Sequence, residues 1–241
     1  MLTLTIIFQI IMPSLLLDGI GIFTLNFTMD LMVNEIFYSI LGESSFSGKP
    51  CVFVRLTGCN LRCRWCDTEY AFYEGKSYSI DKVISQVDQY SCSLIEITGG
   101  EPLMQDGCII LMEKLIDSGR SVLLETGGSL SISNVPDAVK KIIDFKCPSS
   151  KMEKGNSWQI MDDIQPHDEI KFVIADRTDY EWTKEKMTKH NMANKWVINM
   201  APVFGELSYS SLAGWILEDK LDVRFQLQLH KHIWSPDRRG V

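Results

Sequence analysis

Cys59, Cys63 and Cys66 stand in a Cys-x3-Cys-x2-Cys pattern inside the run Gly58-Cys59-Asn60-Leu61-Arg62-Cys63-Arg64-Trp65-Cys66-Asp67-Thr68. Three thiolates on one short loop can hold three irons of a 4Fe–4S cluster and leave the fourth iron without a protein ligand. Electron carriers close all four irons with four cysteines. An open iron can bind a small molecule, so the spacing points to catalysis rather than electron storage. A structural zinc site wants four closed ligands, usually as two Cys-x2-Cys pairs. None of Cys51, Cys92, Cys108, Cys147, His230 and His232 completes a second pair. A disulfide framework fits poorly, because seven cysteines is an odd number and 241 residues can bury a core without staples. Cys51, Cys92 and Cys108 read as core. Free cysteines and a cluster motif imply a reducing cytoplasm.

Three further segments mix turn residues with polar groups: Thr98-Gly99-Gly100-Glu101-Pro102, Glu125-Thr126-Gly127-Gly128 and Cys147-Pro148-Ser149-Ser150. Each follows an apolar run, as does the cysteine loop. Strands are expected at 51–56, 94–98, 122–125, 142–146, 170–174, 196–199 and 223–229. Ile80, Val83, Ile84 and Val87 recur at helical spacing behind Ser79, a natural cap. Leu111, Met112, Leu115 and Ile116 mark a second helix that stops near Gly119, and further helices are expected over 179–190 and 208–218. This alternation predicts an α/β fold with a parallel sheet, closing into a partial (β/α) barrel. The polar turns then lie at the C-terminal ends of strands, where such barrels gather their sites. Residues 149–168 read as a long polar loop able to cover the site. His230 and His232 alternate on the last predicted strand, His230 facing a substrate or a partner and His232 the surface.

Apolar residues make up 45% of the chain and charged residues 23%, with a net charge of −7. An acidic balance argues against a nucleic-acid surface. Residues 1–31 differ from the rest, and Met1–Thr28 carries one charge, Asp18. Pro13, Asp18, Gly19 and Gly21 interrupt the run that a membrane span would need, and a signal peptide's positive start is missing. The expectation is an apolar extension over 1–31, outside the fold, with Met29 or Met32 as the natural start and a membrane anchor as the alternative. The catalytic domain is expected over 32–241.

The cysteine pattern followed by Gly-Gly-Glu-Pro resembles the radical S-adenosylmethionine superfamily. The segments Glu35–Ser44, Val54–Leu61, Trp65–Thr68, Leu124–Ser129, Asp144–Pro148 and Gln228–Lys231 resemble one branch, the 7-carboxy-7-deazaguanine synthase family. The resemblance covers about residues 33–241 and implies a partial (β/α) barrel of the radical SAM type. It implies reductive cleavage of S-adenosylmethionine at a 4Fe–4S cluster to a 5′-deoxyadenosyl radical. That radical would convert 6-carboxy-5,6,7,8-tetrahydropterin to 7-carboxy-7-deazaguanine with ring contraction and loss of ammonia. By that likeness Cys59, Cys63 and Cys66 ligate the cluster, and Thr68 binds Mg²⁺, a hard cation that favours oxygen. Trp65, Cys66, Asp67, Gly99, Gly100, Glu101, Cys147, Pro148 and Ser149 hold S-adenosylmethionine, with Ala201–Phe204 as further contacts. Ile40, Leu41, Gly42, Arg55, Thr98 and Pro236 bind the pterin, and Arg55, Thr98 and Glu125 act in catalysis. Arg55 also reads as a possible structural ion-pair residue. Leu41 departs from the Gln that many members carry. The likeness further implies a flavodoxin or ferredoxin as reductant, a homodimer, and neither nucleic acid nor membrane as partner. A glycyl-radical activase shares the two motifs and stands as the alternative, with an iron–sulfur electron carrier behind it.

Overall fold

The computed structural model describes residues 29–241; the expectations for residues 1–28 lie outside the described residues. Among the described residues nine strands are present: β1 Asp30–Ile40, β2 Pro50–Leu56, β3 Lys76–Ser79, β4 Leu94–Gly99, β5 Ser121–Thr126, β6 Lys140–Phe145, β7 Glu169–Ile174, β8 Val197–Pro202 and β9 Arg224–Phe225. The helices are α1 Ile80–Val87, α2 Gly107–Asp117, α3 Arg177–Lys189, α4 Tyr209–Glu218 and α5 His230–Ile233. One sheet runs in the order β3-β1-β2-β4-β5-β6-β7-β8-β9. Every pairing from β2 to β9 is parallel, while β1 lies antiparallel to both β2 and β3. The parallel part with its outer helices is the expected partial (β/α) barrel.

Period-2 alternation sorts the strands. Val52, Val54, Leu124, Ile143, Phe145, Ile170 and Phe172 face outward into a core shared with Val83, Leu111, Leu115 and Tyr180 of the helices. The intervening residues face inward. Phe53, Leu94, Leu123 and Ile142 join Phe37, Leu41 and Cys51 in a smaller apolar floor. One step further along the strands, the inward positions turn polar: Arg55, Glu96, Glu125, Asp144 and Lys171. Parallel strands covered on both faces are usually apolar throughout, so charged inward residues mark a concave working face.

Helix starts follow capping chemistry. The Ser79, Asp176 and Ser208 side chains accept from the backbone N–H groups of Lys82, Asp179 and Ser211, satisfying donors that the first turn leaves free.

Several expectations shift. The antiparallel strands β1 and β3 are additions to the predicted set. Asp30 and Leu31 belong to β1, and Leu31, 0% exposed, packs in the main core, so the fold begins before residue 32. The predicted strand over 223–229 shrinks to two residues, and His230 and His232 sit on α5. The edge position explains this: among the described residues β9 pairs with β8 alone. Residues 149–168 form three short 3-10 turns rather than a cover. Trp158 among them stacks between Phe145 and His190.

Candidate active site

The inward face opens into a cavity of about 690 Å³. The C-terminal halves of β2 and β4 to β7, loops at the strand ends including the one after β8, and the C-terminal tail build its walls. After β2 comes the cysteine loop, from which Cys59, Cys63, Trp65, Cys66, Asp67 and Thr68 reach the cavity. Arg64 braces this loop from outside. Its guanidinium stacks on Trp65, pairs with Glu206 at 2.6 Å and donates to the Ser149 carbonyl at 3.2 Å.

All three motif cysteines are free thiols. Burial pushes Cys59 up, and pushes Cys63 to about 11 with Lys146 opposing. The chain alone therefore leaves these two thiols protonated, and a metal is what would convert them to thiolates. Among the described residues, no three His, Cys, Asp or Glu side chains are placed to share one ion. Three separated thiols on one wall fit a multi-iron cluster.

The second wall follows β4: Thr98, Gly99, Gly100 and Glu101. A Cβ on Gly100 would run into the Gly58 carbonyl and lie 2.7 Å from the Cys59 Cβ, so glycine lets this turn press against the cysteine loop. Glu101 is buried, and its carboxylate accepts from the N–H groups of Leu103 (3.1 Å) and Gly127 (2.8 Å) and from the Thr126 hydroxyl (2.9 Å). It ties the ends of β4 and β5 together and keeps little capacity for an outside donor.

The third wall carries the charges. Lys171 on β7 is 4% exposed and lies 2.7 Å from Glu125 and 3.4 Å from Asp144, and it also pairs with Glu43. Burial works against this ammonium, yet Glu125, Glu43 and Asp144 hold it well above the usual lysine range. Burial likewise opposes the charge on Glu125, but Lys171 outweighs it and holds the carboxyl below its ordinary value. Thr98 donates to the other Glu125 oxygen at 3.2 Å. Arg55 gives its Nε–H to Glu35 at 2.8 Å, and Tyr70 donates to the same oxygen at 3.0 Å. The terminal nitrogens of Arg55 have no hydrogen-bond partner among the described residues, so this side chain is both an ion-pair residue and a free fork on the cavity.

The roof comes from the C-terminus. Lys231 pairs with Asp67 at 2.6 Å, and Gln228 donates to Glu43 at 2.9 Å. Pro236 and the residues after it line the cavity mouth. Arg239 stacks 3.7 Å over Tyr70 and pairs with Glu74 at 2.9 Å.

Most expected residues therefore meet around one space, including Ile40, Leu41, Val203 and Phe204. Six lie off the cavity wall: Gly42, Cys147, Pro148, Ser149, and Ala201 and Pro202, which belong to β8. Gly42 sits beneath His230, whose backbone nitrogen a Cβ would approach to 3.0 Å. The Leu41 N–H and carbonyl are both spent on the turn to Gly48 and Lys49, which leaves its side chain to face the cavity. Cys147 is buried with its sulfur 3.6 Å from Thr183. Pro148 and Ser149 form a turn fastened to α3 through Asp179 and Asp176. Sequence reasoning missed Glu43, Glu96, Asp144, Lys146 and Lys171 as wall residues. A signal existed for three of them: Glu96, Asp144 and Lys171 are charges at alternating positions inside apolar strands.

An open barrel of this topology, with a three-cysteine loop after its first parallel strand and a Gly-Gly-Glu turn pressed against it, defines a radical S-adenosylmethionine enzyme. The radical SAM superfamily model matches residues 53–149. A 7-carboxy-7-deazaguanine synthase of Koribacter versatilis is 46% identical over 228 residues, covering 88% of this chain and 100% of the relative. One from Chlorobaculum tepidum is 46% identical over 214 residues, covering 88% and 97%. The crystal structure of QueE from Escherichia coli superposes with a TM-score of 0.69 at 22% identity, covering 84% of this chain and 95% of that one, which shows a shared fold. The chain belongs to the 7-carboxy-7-deazaguanine synthase family.

Proposed function

We propose that this protein is a 7-carboxy-7-deazaguanine synthase, a radical SAM carbon–nitrogen lyase that contracts the ring of 6-carboxy-5,6,7,8-tetrahydropterin with loss of ammonia. The observation that carries the reading is the joining, in one cavity, of the cysteine loop with the free Arg55 fork and the Lys171–Glu125 pair. A cluster held by Cys59, Cys63 and Cys66 supplies, with S-adenosylmethionine, the radical that starts the reaction. The protein's share is to position, to shield and to move protons.

Arg55 offers a planar pair of donors suited to a carboxylate, and it projects from the strand that delivers the cysteines. Glu125 is held ionised and suits a base. Thr98 fixes it. Gly99 and Gly100 let backbone approach the amino-acid part of the cosubstrate, beside Trp65 and Asp67. Glu101 supports that wall by holding the turn. Cys147, Pro148 and Ser149 act at one remove, since the Ser149 and Ser150 carbonyls hold Arg64 and so Trp65. Thr68 would offer its hydroxyl oxygen to Mg²⁺, a hard cation that favours oxygen. Ile40, Leu41 and Pro236 close around the pterin, and Gly42 seats His230 against them. The reductant is a flavodoxin or ferredoxin, and the working form is a cytoplasmic homodimer with neither nucleic acid nor membrane as partner.

Anaerobic turnover tests the reading. The reconstituted protein receives S-adenosylmethionine, reductant, Mg²⁺ and 6-carboxytetrahydropterin, and products are followed by mass spectrometry. The expected product is 7-carboxy-7-deazaguanine, lost in Cys63→Ala. Formation of 5′-deoxyadenosine without ring contraction would place the enzyme elsewhere in the superfamily.

A further inference from the structure

Glu96 is the inward residue of β4 one pleat below Thr98. In register it lies between Phe53 of β2 and Leu123 of β5, on the apolar floor. It is 7% exposed and that exposure faces the cavity. Its carboxyl has no hydrogen-bond partner among the described residues, although every other carboxyl around the charged wall has one: Glu43 and Asp144 with lysines, Glu125 with Lys171 and Thr98. A carboxyl on an apolar floor, with free oxygens directed at the space where substrate must lie, is placed to meet the substrate itself.

Glu96 and Glu125 sit on adjacent strands. Glu125 stands opposite Thr98, so the two carboxyls are offset by one inward step, about 6–7 Å along the strands. Their surroundings push them in opposite directions. Burial, then the nearby charges of Glu125 and Glu43, raise Glu96 well above the usual carboxyl range. Lys171 holds Glu125 down. Two carboxyls of one site driven apart in this way divide into an acid and a base.

Resting on the synthase reading above, we propose that Glu96 is the general acid that protonates the departing amine, working with Glu125 as base. Loss of ammonia from the ring-contracted adduct breaks one C–H and one C–N bond and forms one C=C bond. The carbon proton goes to a Glu125 oxygen. The C–N electron pair leaves with nitrogen, which takes the proton of the Glu96 carboxyl and departs as neutral ammonia. Exchange with solvent then resets both carboxyls, and no oxidant or reductant is consumed.

The test compares Glu96→Gln and Glu96→Asp with the wild-type holoenzyme on 6-carboxytetrahydropterin in a single turnover, measuring 5′-deoxyadenosine and ammonia separately. Gln keeps the shape and a hydrogen-bond donor but has no proton to give. Glu96→Gln should form 5′-deoxyadenosine within about twofold of the wild-type rate, release ammonia about a hundredfold more slowly, and accumulate a species that still carries the amine. Glu96→Asp should recover part of the loss. Ammonia release by the wild type should fall as pH rises through the acid's titration, and Glu96→Gln should lack that fall. The charged and titratable groups facing Glu96 are Arg55 and Cys51 on β2, Glu43 on the turn after β1, Glu125 on β5 and Lys171 on β7; they are common to both proteins, so the lost limb belongs to Glu96. Ammonia release at the wild-type rate in Glu96→Gln, or a parallel loss of 5′-deoxyadenosine, overturns the acid role. Wild-type protein that makes 5′-deoxyadenosine but no ring-contracted product overturns the synthase reading, and this proposal with it.

Discussion

The ammonium of Lys171 lies 2.7 Å from the carboxylate of Glu125, two strands away across β6, with Asp144 of β6 at 3.4 Å. This contact spans the charged wall of the cavity and sets the charge state of its central carboxylate. It also reaches Glu43, and through Gln228 the segment leading into α5. A single buried cation thus organises residues from four parts of the chain.

Replacing that cation exposes its role. Lys171→Met leaves Glu43, Glu125 and Asp144 in one low-dielectric space with less positive charge. Removing one partner of a buried pair costs about 3–5 kcal/mol, to be read from urea unfolding. Glu125 would titrate higher, so the rising limb of the pH–rate profile should move to higher pH. An unmoved limb in folded protein would detach Lys171 from the chemistry.

Glu169 holds the loop that carries Glu43. Its carboxylate pairs with Lys140 at 2.8 Å, accepts from Asn199 at 2.7 Å and takes the backbone N–H and hydroxyl of Ser45. Burial opposes its charge, but these donors more than offset that and lower its titration. A carboxyl lowered on folding adds stability above its unfolded value, about 4.3, and that stability is lost as pH falls through the lower folded value. Glu169→Gln should therefore be less stable than wild type near neutrality, with the gap narrowing in acid. Thermal unfolding between pH 7 and pH 3 measures this, and a gap that widened in acid would contradict it.

Arg55 divides its guanidinium between Glu35 and the cavity. Lysine cannot serve both with one ammonium. Arg55→Lys should lower kcat/KM by about 10–100-fold, the loss of a charged hydrogen bond worth ~1.5–3 kcal/mol. Glu35→Gln, which keeps the fork in place, should cost less. Equal losses would mean that the ion pair, rather than the free nitrogens, matters.

The free cysteines separate into two groups. Cys63→Ala should lose most of the iron and the visible absorbance of the reconstituted protein. Cys147→Ala, behind the wall against Thr183, should retain both and cost about 1 kcal/mol of stability, as one small buried group does. Iron content measured against protein concentration distinguishes them. Loss of iron from Cys147→Ala would bring that thiol into the site.

The cluster loop was legible because its chemistry is local. Three thiols within eight positions need one short loop, and the Gly-Gly-Glu turn needs its glycines for close approach at Gly100. The parallel strands were legible as apolar runs ended by turn residues, and the first two helices as 3.6-residue periods, the first behind a capping Ser79. Strand β1 was harder to see. Its inner and outer residues are a mixture, its partners are antiparallel, and its register slips between Val33 and Glu35. The end of the chain was misread for a related reason. An edge strand with one neighbour has little to hold it extended, and a short helix replaces it at His230.

What the sequence determined by itself is the identity of the reactive groups: cysteine spacing, turn glycines and the alternation that turns one face of each strand inward. Those are properties of neighbours a few residues apart. Only tertiary structure decided which charges meet. Glu43, Glu96, Glu125, Asp144 and Lys171 are scattered over more than a hundred positions, and their protonation depends on burial and on each other rather than on local sequence. Folding set Lys171 against Glu125 and left Glu96 without a partner among the described residues, and in a low-dielectric cavity that difference in neighbours is what separates a base from an acid.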